Sequence, residues 1–282
     1  IASGVHNNYS VYDGVKDKQQ IPIFDGSLVF GNDLCTFDPQ SVATIDEKEF
    51  VTENYKWAFK NCKTALQRSY RSLMLKKGAN NAETMDSQFK DWMFDYFAKL
   101  AGKEVGKLAT AAILAEIATD ASVIKDTSAD LADSADAATV LPVLATIFQS
   151  ITEEMYQAHF NPNGVMVDQA VGLSMILPWE IYRAAHVALS TGLTNTMRAE
   201  VEAGAKPLRY MGIDLYLDPE LPANKVLVAP LDNFVIVVDD MADIDAIQVK
   251  YIEELSSDYI WGQFTIGFGY KKSDMILEYT LT

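Results

Sequence analysis

Two glycine-containing segments could form catalytic loops, but neither has the spacing that its chemistry requires. Residues 102–108 (Gly-Lys-Glu-Val-Gly-Lys-Leu) carry the residue types of a phosphate-binding loop. That loop places four residues between its glycines and a Ser or Thr hydroxyl beside magnesium, whereas here three residues intervene and Leu108 takes the hydroxyl position. Residues 172–176 begin like the nucleophile elbow of serine hydrolases, but Ile176 replaces the second glycine that relieves the strained turn. We predict a helix interior for the first segment and a structural role for Ser174.

An acidic segment near the carboxyl end could hold a cation, because carboxylate oxygens are ligands of calcium and magnesium. Its aspartates are Asp239, Asp240, Asp243 and Asp245. Counted from Asp239, the sixth residue is Ile244 instead of the glycine of a calcium loop, and the twelfth is Lys250 instead of a bidentate glutamate. A solvated acidic turn is the favoured interpretation, and a loosely held divalent ion at a subunit contact is the alternative.

The histidines and cysteines form no recognisable metal or disulfide pattern. His6, His159 and His186 are too scattered to bind a metal together, and each is predicted to be a surface or helix residue. Cys35 and Cys62 are too few for a disulfide scaffold, and two free thiols are favoured over a bridge across the base of a hairpin. We therefore predict no catalytic, metal-binding or cofactor-binding residue, no cofactor, and a protein that is not an enzyme.

The composition is that of a globular protein with a strongly acidic balance. The 282 residues include 39 acidic and 23 basic ones, a formal net charge of −16. Sequence-independent DNA binding depends on Lys and Arg that neutralise phosphates, so this balance argues against a DNA-gripping module but permits a shell that encloses DNA. Neither a bilayer-spanning apolar run nor a signal peptide is visible, so we expect a soluble protein. Because the chain begins with Ile1 and not Met, we expect it to be processed or part of a longer product.

The amino-terminal part has the pattern of an arm followed by a long hairpin. Residues 1–18 are polar and lack either period, which predicts an extended arm. Residues 19–63 contain strand-like pieces separated by turn residues, with Tyr55, Trp57 and Phe59 on one face of the last piece. Because an isolated two-stranded ribbon is marginal in water, this hairpin needs a surface to lie on.

A long amphipathic helix is predicted over residues 84–119, where apolar residues recur at helical spacing. Gly102 and Gly106 within it indicate a kink or a close backbone contact. Residues 121–138 are rich in Asp, Ser and Ala and are the best candidate for a domain crossing. The helix and strand patterns that follow predict a compact α+β unit.

The residues from 208 to 282 are dominated by strand patterns and contain neither His nor Cys. Residues 210–217 alternate like one half-buried strand, and residues 260–268 alternate in the same way. Residues 226–228 and 235–238 are continuous apolar runs, typical of strands covered on both faces. Because this stretch is almost empty of reactive groups, we expect it to act through shape and contact.

The order of short motifs in this stretch resembles the end of a Hong Kong 97-type major capsid protein of tailed bacteriophages. The residues that carry the resemblance are Met211-Gly212-Ile213, Leu221-Pro222-Ala223-Asn224, Ala229 to Phe234, Asp239 to Asp245 and Ile266-Gly267-Phe268-Gly269. None of these motifs is a catalytic signature, and it is their order that carries the resemblance. It implies an α+β fold with an N-terminal arm, an extended E-loop hairpin, a P-domain with a long spine helix and a compact A-domain.

The resemblance also implies a division of the chain into domains. The expected parts are the N-terminal arm 1–18, the E-loop hairpin 19–63, the P-domain with its spine helix 64–125, the A-domain 126–231, the P-domain strands 232–270 and a C-terminal strand 271–282. Some members of the family join subunits through Lys–Asn isopeptide bonds between the hairpin and a neighbour. Lys48 lies in the right region, but no partner Asn or activating acid matches, so no crosslink is expected.

The leading functional hypothesis is a structural protein, a major capsid subunit that self-assembles into hexamers and pentamers of an icosahedral phage head enclosing double-stranded DNA. The expected partners are copies of the chain itself, with portal, scaffolding and decoration proteins as further candidates, and neither sequence-specific DNA binding nor a membrane. The expected location is the virion, after assembly in the host bacterial cytoplasm. The expected inter-subunit contact residues are Phe24, Phe30, Tyr55, Trp57 and Phe59. The alternatives are an encapsulin-like nanocompartment shell with a protein cargo and an unrelated enzyme.

Overall fold

The chain folds into two larger sheets, one separate hairpin and several helices, which confirms the α+β class. The computed structural model describes residues 4–15, 17–27, 42–62, 87–127, 129–159, 172–190, 208–239, 248–252 and 257–282. The strands are β1 (Ser10–Tyr12), β2 (Lys18–Ser27), β3 (Val42–Val51), β4 (Glu53–Cys62), β5 (Ile124–Asp126), β6 (Leu173–Leu177), β7 (Leu208–Tyr210), β8 (Ile213–Leu217), β9 (Lys225–Pro230), β10 (Phe234–Val238), β11 (Gln248–Ile252), β12 (Ser257–Tyr270) and β13 (Leu277–Thr280). The helices are α1 (Ser87–Thr119), α2 (Leu131–Ser134), α3 (Val140–Gln149), α4 (Glu153–His159) and α5 (Trp179–Ser190), with short 3₁₀ helices at Gly4–Asn8 and Leu231–Asn233.

The first sheet is organised around the 14-residue strand β12. Strand β4 runs antiparallel along one edge of β12. Along the other edge, β11 pairs with the first part of β12 and β10 pairs with its last five residues. Strand β1 then adds to β10 in parallel. One long strand therefore holds most of this sheet together.

Strand β10 is covered on both faces, as its continuous apolar run predicts. Phe234, Ile236 and Val238 belong to the core that α1 covers. Val235 and Val237 point to the opposite face, where they contact residues at the base of the hairpin. The sheet therefore has a helix face and a hairpin face, and both exclude water from its centre.

Helix α1 supplies the helix face with one apolar stripe. Val105, Ala109, Ile113 and Ile117 recur every four residues, and each is at most 1% exposed. Val105, Ile113 and Ile117 pack in one cluster with side chains of β9, β10 and β12. The observed helix ends at Thr119, the last residue of the predicted one, so the helical period located it correctly.

The second sheet has six strands in the order β5-β13-β9-β6-β8-β7. Strands β6 and β8 are parallel and are joined through α5, while β9 and β13 add in the antiparallel sense. Helices α3 and α5 bury their apolar residues against this sheet. The pattern of alternating helices and strands in this region predicted such a compact α+β unit.

Strands β2 and β3 pair over ten residues each and form a two-stranded sheet of their own. The buried side chains at its base are Ile21 and Phe50, each 3% exposed, which contact Val15, Val235 and Val237. The predicted hairpin is therefore present and is attached at its base. Its pairing ends at Val51, and residues 53–62, expected to continue the hairpin, instead pair with β12 in the large sheet.

Two predictions about local structure were wrong. Residues 210–217 do not form one strand, because Met211 and Gly212 make a two-residue turn with φ angles of 48° and 86° between β7 and β8. The amino-terminal residues 4–15 do not extend away as an arm, since they form a 3₁₀ helix and β1 on the body of the chain. Val5 and Val15 are 3% and 4% exposed there, and this burial outweighs the polar composition of the segment.

Several expectations fall outside what the structure describes. The predicted strands at residues 28–30 and 165–167, and the position of Cys35, belong to undescribed parts of the chain. The domain boundaries inferred from the resemblance stay predictions. Among the described residues, no helix combines the length and the apolar character that crossing a bilayer requires.

Candidate functional site: the hairpin and its base

The hairpin meets β12 at two glycines that leave room for its backbone and side chains. A Cβ atom added to Gly267 would lie 2.2 Å from the carbonyl oxygen of Val51. At Gly269 an added Cβ would lie 2.8 Å from the ring of Phe50 and 2.9 Å from Glu116 Oε2. Neither site can accept a side chain without a shift of its neighbours, so these glycines permit a close approach of two chain segments.

Lys48 ties the hairpin to two elements of the body. Its ammonium group is 2.6 Å from Glu116 Oε1 on α1 and 3.6 Å from the ring centroid of Tyr270 on β12. The side chains of Lys48 and Glu116 are 27% and 31% exposed, so water screens their attraction only in part. A partly desolvated cation–π contact contributes about 1 kcal/mol, and an ion pair of this kind about 0.5–1 kcal/mol. We call Lys48, Glu116 and Tyr270 the clamp.

The electrostatic surroundings keep the ring of Tyr270 neutral and the carboxyl of Asp120 charged. The Tyr270 hydroxyl donates a hydrogen bond to Asp120 Oδ2 at 2.8 Å. Burial, and then this hydrogen bond, raises the pKa of Tyr270. Hydrogen bonds from the Ser122 backbone N–H and from the Tyr270 hydroxyl lower the pKa of Asp120, with a smaller contribution from the Lys48 charge. The ring edge is therefore held by Asp120 while its face contacts the ammonium group.

Tyr55 and Trp57, two of the predicted inter-subunit contact residues, are half-buried on β4 and contact the chain's own β12. The Tyr55 ring stacks on Phe264 with centroids 5.8 Å apart. Burial raises the pKa of Tyr55 to about 12, helped by its hydrogen bond to Glu53 Oε2 at 2.8 Å. Trp57 lies so close to Gly262 that a Cβ there would be 2.7 Å from its Nε1. Both side chains thus contribute to the fold of a single copy.

The other three predicted contact residues are less completely described. Phe24 lies on β2 opposite Ile45, and Phe59 lies on β4 opposite Ile260. Phe30 lies outside the described residues. The assignment of all five residues to a contact between copies stays a prediction.

A buried polar network holds the amino-terminal segment on α1. His6 Nε2 is 3.0 Å from Thr110 Oγ1, and the Thr110 hydroxyl donates to Asp218 Oδ2 at 2.6 Å. The three residues are 3%, 4% and 2% exposed. Because the single hydroxyl hydrogen goes to Asp218, His6 Nε2 must carry a hydrogen and donate it to Thr110. The network joins three segments that are distant in sequence: the first 3₁₀ helix, α1 and the residue after β8.

This network does not have the arrangement of a nucleophilic catalyst. In a catalytic triad the histidine stands between the hydroxyl and the carboxylate and removes the hydroxyl proton. Here the hydroxyl of Thr110 stands between them, and it donates to Asp218. The ring of Tyr9 packs edge to face against His6 at 5.1 Å and helps to enclose it. The sequence did not reveal this buried role of His6, because nothing near position 6 signals partners at positions 110 and 218.

The structure also settles two motifs examined in the sequence. Residues 102–108 lie inside α1, so the predicted helix interior is confirmed. Ser174 is 4% exposed and lies within β6, where its backbone is paired with Asp214 on β8 and Ala229 on β9. It therefore sits inside a sheet and not at a strand-to-helix turn, which confirms its predicted structural role. Of the acidic segment 239–245, the structure describes Asp239 alone. Within the described ranges, no group of three or more His, Cys, Asp or Glu residues is placed to hold a metal ion.

No sequence pattern indicates the clamp or the exposure of several apolar side chains. Lys48 and Glu116 belong to different elements, and no local pattern indicates that they meet. Tyr96 and Met211, placed on apolar faces by their periodicity, are 50% and 53% exposed, and Trp179 at the start of α5 is 52% exposed. These three side chains are further candidates for contact with another molecule.

Comparison with known proteins gives structural matches and no sequence match. No protein-family model matches the chain, and no curated protein matches it in sequence. A structure from Mycobacterium phage Ogopogo matches 100% of this chain and 92% of its own, with a TM-score of 0.59 and 12% identity. The capsid structure of the cyanophage P-SCSP1u matches 100% of this chain and 89% of its own, with a TM-score of 0.54 and 12% identity. A virus-like particle from Pyrococcus furiosus matches 99% of this chain and 92% of its own, with a TM-score of 0.54 and 13% identity.

Each match covers almost the whole length of this chain and of the matched chain, so the similarity concerns the complete arrangement of helices and strands. Identities of this size establish a shared fold. The order of motifs from Met211 to Gly269 predicted the same architecture. The chain has the Hong Kong 97-type capsid fold.

Proposed function

We propose that this chain is the major capsid subunit of a tailed double-stranded DNA bacteriophage, a structural protein and not an enzyme. The observation that carries the proposal is the structural match, along almost the whole chain, to the capsid structure of the cyanophage P-SCSP1u and to the structure from Mycobacterium phage Ogopogo. A second observation supports it: β2 and β3 form a two-stranded sheet separate from the two larger sheets, with Ile21 and Phe50 buried at its base.

The hairpin gives a physical reason for assembly. A two-stranded ribbon has too little buried surface to be stable alone in water. Lying on a neighbouring copy would bury it, and because only the folded chain offers that surface, assembly would stabilise the fold by mass action. We propose that Phe24, Phe30, Tyr55, Trp57 and Phe59 contribute to this contact between copies.

A head-to-tail contact of this kind can produce a closed shell. If the hairpin of each copy lies on the next copy without a reciprocal contact, the interface is heterologous and generates rings when the rotation closes. We propose rings of five and six copies that tile an icosahedral head, located in the virion after assembly in the host bacterial cytoplasm. Portal, scaffolding and decoration proteins are the further partners of such a head.

The charge of the chain bears on what the shell encloses. With a net charge of −16, the subunit cannot rely on general attraction to phosphates. We therefore propose that the shell encloses DNA without sequence-specific binding. The alternative is a shell of the same fold that encloses a protein cargo, and the contents of the purified particle distinguish DNA from protein.

The test is electron microscopy of the purified protein together with a shortened variant. Ile23 and Asp46 are directly opposite each other, so replacing residues 24–45 with Asn-Gly closes the hairpin with a tight turn and keeps its base. We expect closed particles from the full chain and none from the shortened one, with similar melting temperatures for the two unassembled chains. A full chain that stays monomeric at every concentration overturns the proposal, and particles filled with protein instead of DNA select the cargo alternative.

A further inference from the structure

One face of the hairpin contacts the body through apolar side chains and through Lys48. Ile21 and Phe50 are buried in one cluster with Val15, Val235 and Val237, and this apolar contact anchors the base. Lys48, two residues further along β3 and on the same face, reaches α1 and β12 with its ammonium group. Its ion pair with Glu116 joins the hairpin to α1.

Apolar contacts are non-directional, whereas an ion pair and a cation–π contact with fixed partners favour one direction of the strand. Without Lys48, the described contacts of the hairpin base with Val15, Val235 and Val237 are the apolar ones of Ile21 and Phe50, which leave the strand some freedom to tilt. The Cα atom of Lys48 lies about 7 Å from that of Phe50 along the strand, at the standard rise per residue. The ammonium group of Lys48 is held from two directions, by the Glu116 carboxylate on a helix and by the Tyr270 ring on a strand. The clamp therefore restrains both tilt and twist of the hairpin.

A small error in this direction becomes large at the end of the hairpin. The described part of β3 runs from Lys48 back to Val42, a length of about 20 Å. A tilt of about 10° at the base would displace that end by about 3 Å, which is comparable to the rise of one residue along a strand and far beyond what a packed interface tolerates. Contacts between copies that depend on the hairpin thus depend on the clamp.

We propose that Lys48 is a positioning residue that sets the angle between the hairpin and the body, and that this angle gives the assembled shell a single size. The inference rests on the proposed capsid function. It adds a specific determinant of shell uniformity that lies within each copy and outside the contact surface itself.

The experiment replaces Lys48 with Met, which keeps the aliphatic stem and removes the charge. The matched control is Lys18→Met, because Lys18 also makes a 2.6 Å ion pair, with Glu49, but that pair lies within the hairpin and is 55% and 47% exposed. We expect K48M to form particles whose diameters, measured by electron microscopy, spread severalfold more widely than those of the native chain. K18M should match the native chain, and K48R, which keeps the charge, should restore uniform particles.

A second measurement reads the angle without requiring assembly. Nitroxide labels at position 43, near the far end of the described β3, and at the exposed position 274 report the distance between hairpin and body in a chain whose native cysteines are replaced by serine. K48M should broaden that distance distribution, while K18M and K48R should leave it as narrow as in the parent. An unchanged distribution in K48M, or uniform K48M particles, overturns the role of Lys48 and leaves the capsid proposal standing. A native chain that forms no particles rejects the capsid proposal, and the distance measurement then still decides whether Lys48 sets the angle.

Discussion

Replacing Thr110 with Val removes the hydroxyl that joins His6 to Asp218 and changes the shape of the side chain very little. The hydroxyl donates to Asp218 at 2.6 Å and lies 3.0 Å from His6 Nε2, in a site where all three residues are buried. A hydrogen bond to a charged group contributes about 1.5–3 kcal/mol, and a buried group left unsatisfied costs about 1–3 kcal/mol. Asp218 keeps its hydrogen bond from the Glu220 backbone N–H at 3.0 Å, which compensates in part. We expect the free energy of unfolding to fall by about 2–4 kcal/mol.

The matched control is Thr119→Val on the same helix. The Thr119 hydroxyl donates to the Glu116 carbonyl at 2.9 Å, but it is exposed and joins no second segment of the chain. Surface changes of this kind alter stability by at most about 0.5 kcal/mol. Urea unfolding followed by tryptophan fluorescence gives both values, at a concentration where sedimentation shows unassembled chain.

Hydrogen exchange locates the effect. Loss of the network should release the segment that His6 holds, so the amides of Tyr9 and Val15, which donate to the carbonyls of His6 and Val238, should exchange faster in T110V. Equal losses of stability in T110V and T119V, or unchanged protection of residues 4–15 in T110V, would refute the reasoning.

Three further predictions concern the hairpin base and its sheet. Gly267→Ala should lower the free energy of unfolding by about 1–3 kcal/mol, because its Cβ meets the backbone carbonyl of Val51. Gly262→Ala should lower it less, because its Cβ meets the Trp57 side chain, which can move. Equal melting temperatures of the two variants would contradict this reasoning. Trp57→Ala should weaken assembly more than it weakens the fold, and sedimentation measured beside thermal melting decides between the two. Acidification below about pH 4 should loosen the base of the hairpin, because the pKa of Asp120 is lowered in the folded chain. Its carboxylate stabilises the fold above the unfolded pKa, and this stabilisation is lost as the pH falls through the folded pKa. Asp120→Asn should remove part of this acid dependence from hydrogen exchange in β12, and an unchanged profile rejects the link.

Regular hydrophobic patterns were sufficient to locate several elements. The predicted helix over 84–119 is observed over Ser87–Thr119, and the run Val235–Val238 is buried on both faces as predicted. Long periodic segments of this kind bury a whole face, so their pattern survives in any tertiary context. The order of motifs near the carboxyl end was also sufficient to predict the fold.

Local sequence was insufficient where one residue or one partner decides the outcome. Met211 continues the alternation of a strand, yet it occupies a turn with φ of 48°, a conformation uncommon for residues other than glycine. The amino-terminal segment looks polar, but its few apolar residues find a core. Strand β4 has the period of a strand in either position, so only pairing with β12 shows that it leaves the hairpin.

The sequence by itself determined the fold class, the long helix and the strands of the carboxyl-terminal part, because their periodicity describes burial that each element brings with it. Only the tertiary structure decided that His6 meets Thr110 and Asp218, and that Lys48 meets Glu116 and Tyr270. A polar side chain has no pattern of its own from which to infer a partner. Its role follows from whichever distant group the folded chain brings within a few ångströms, and that proximity is a property of the packing as a whole.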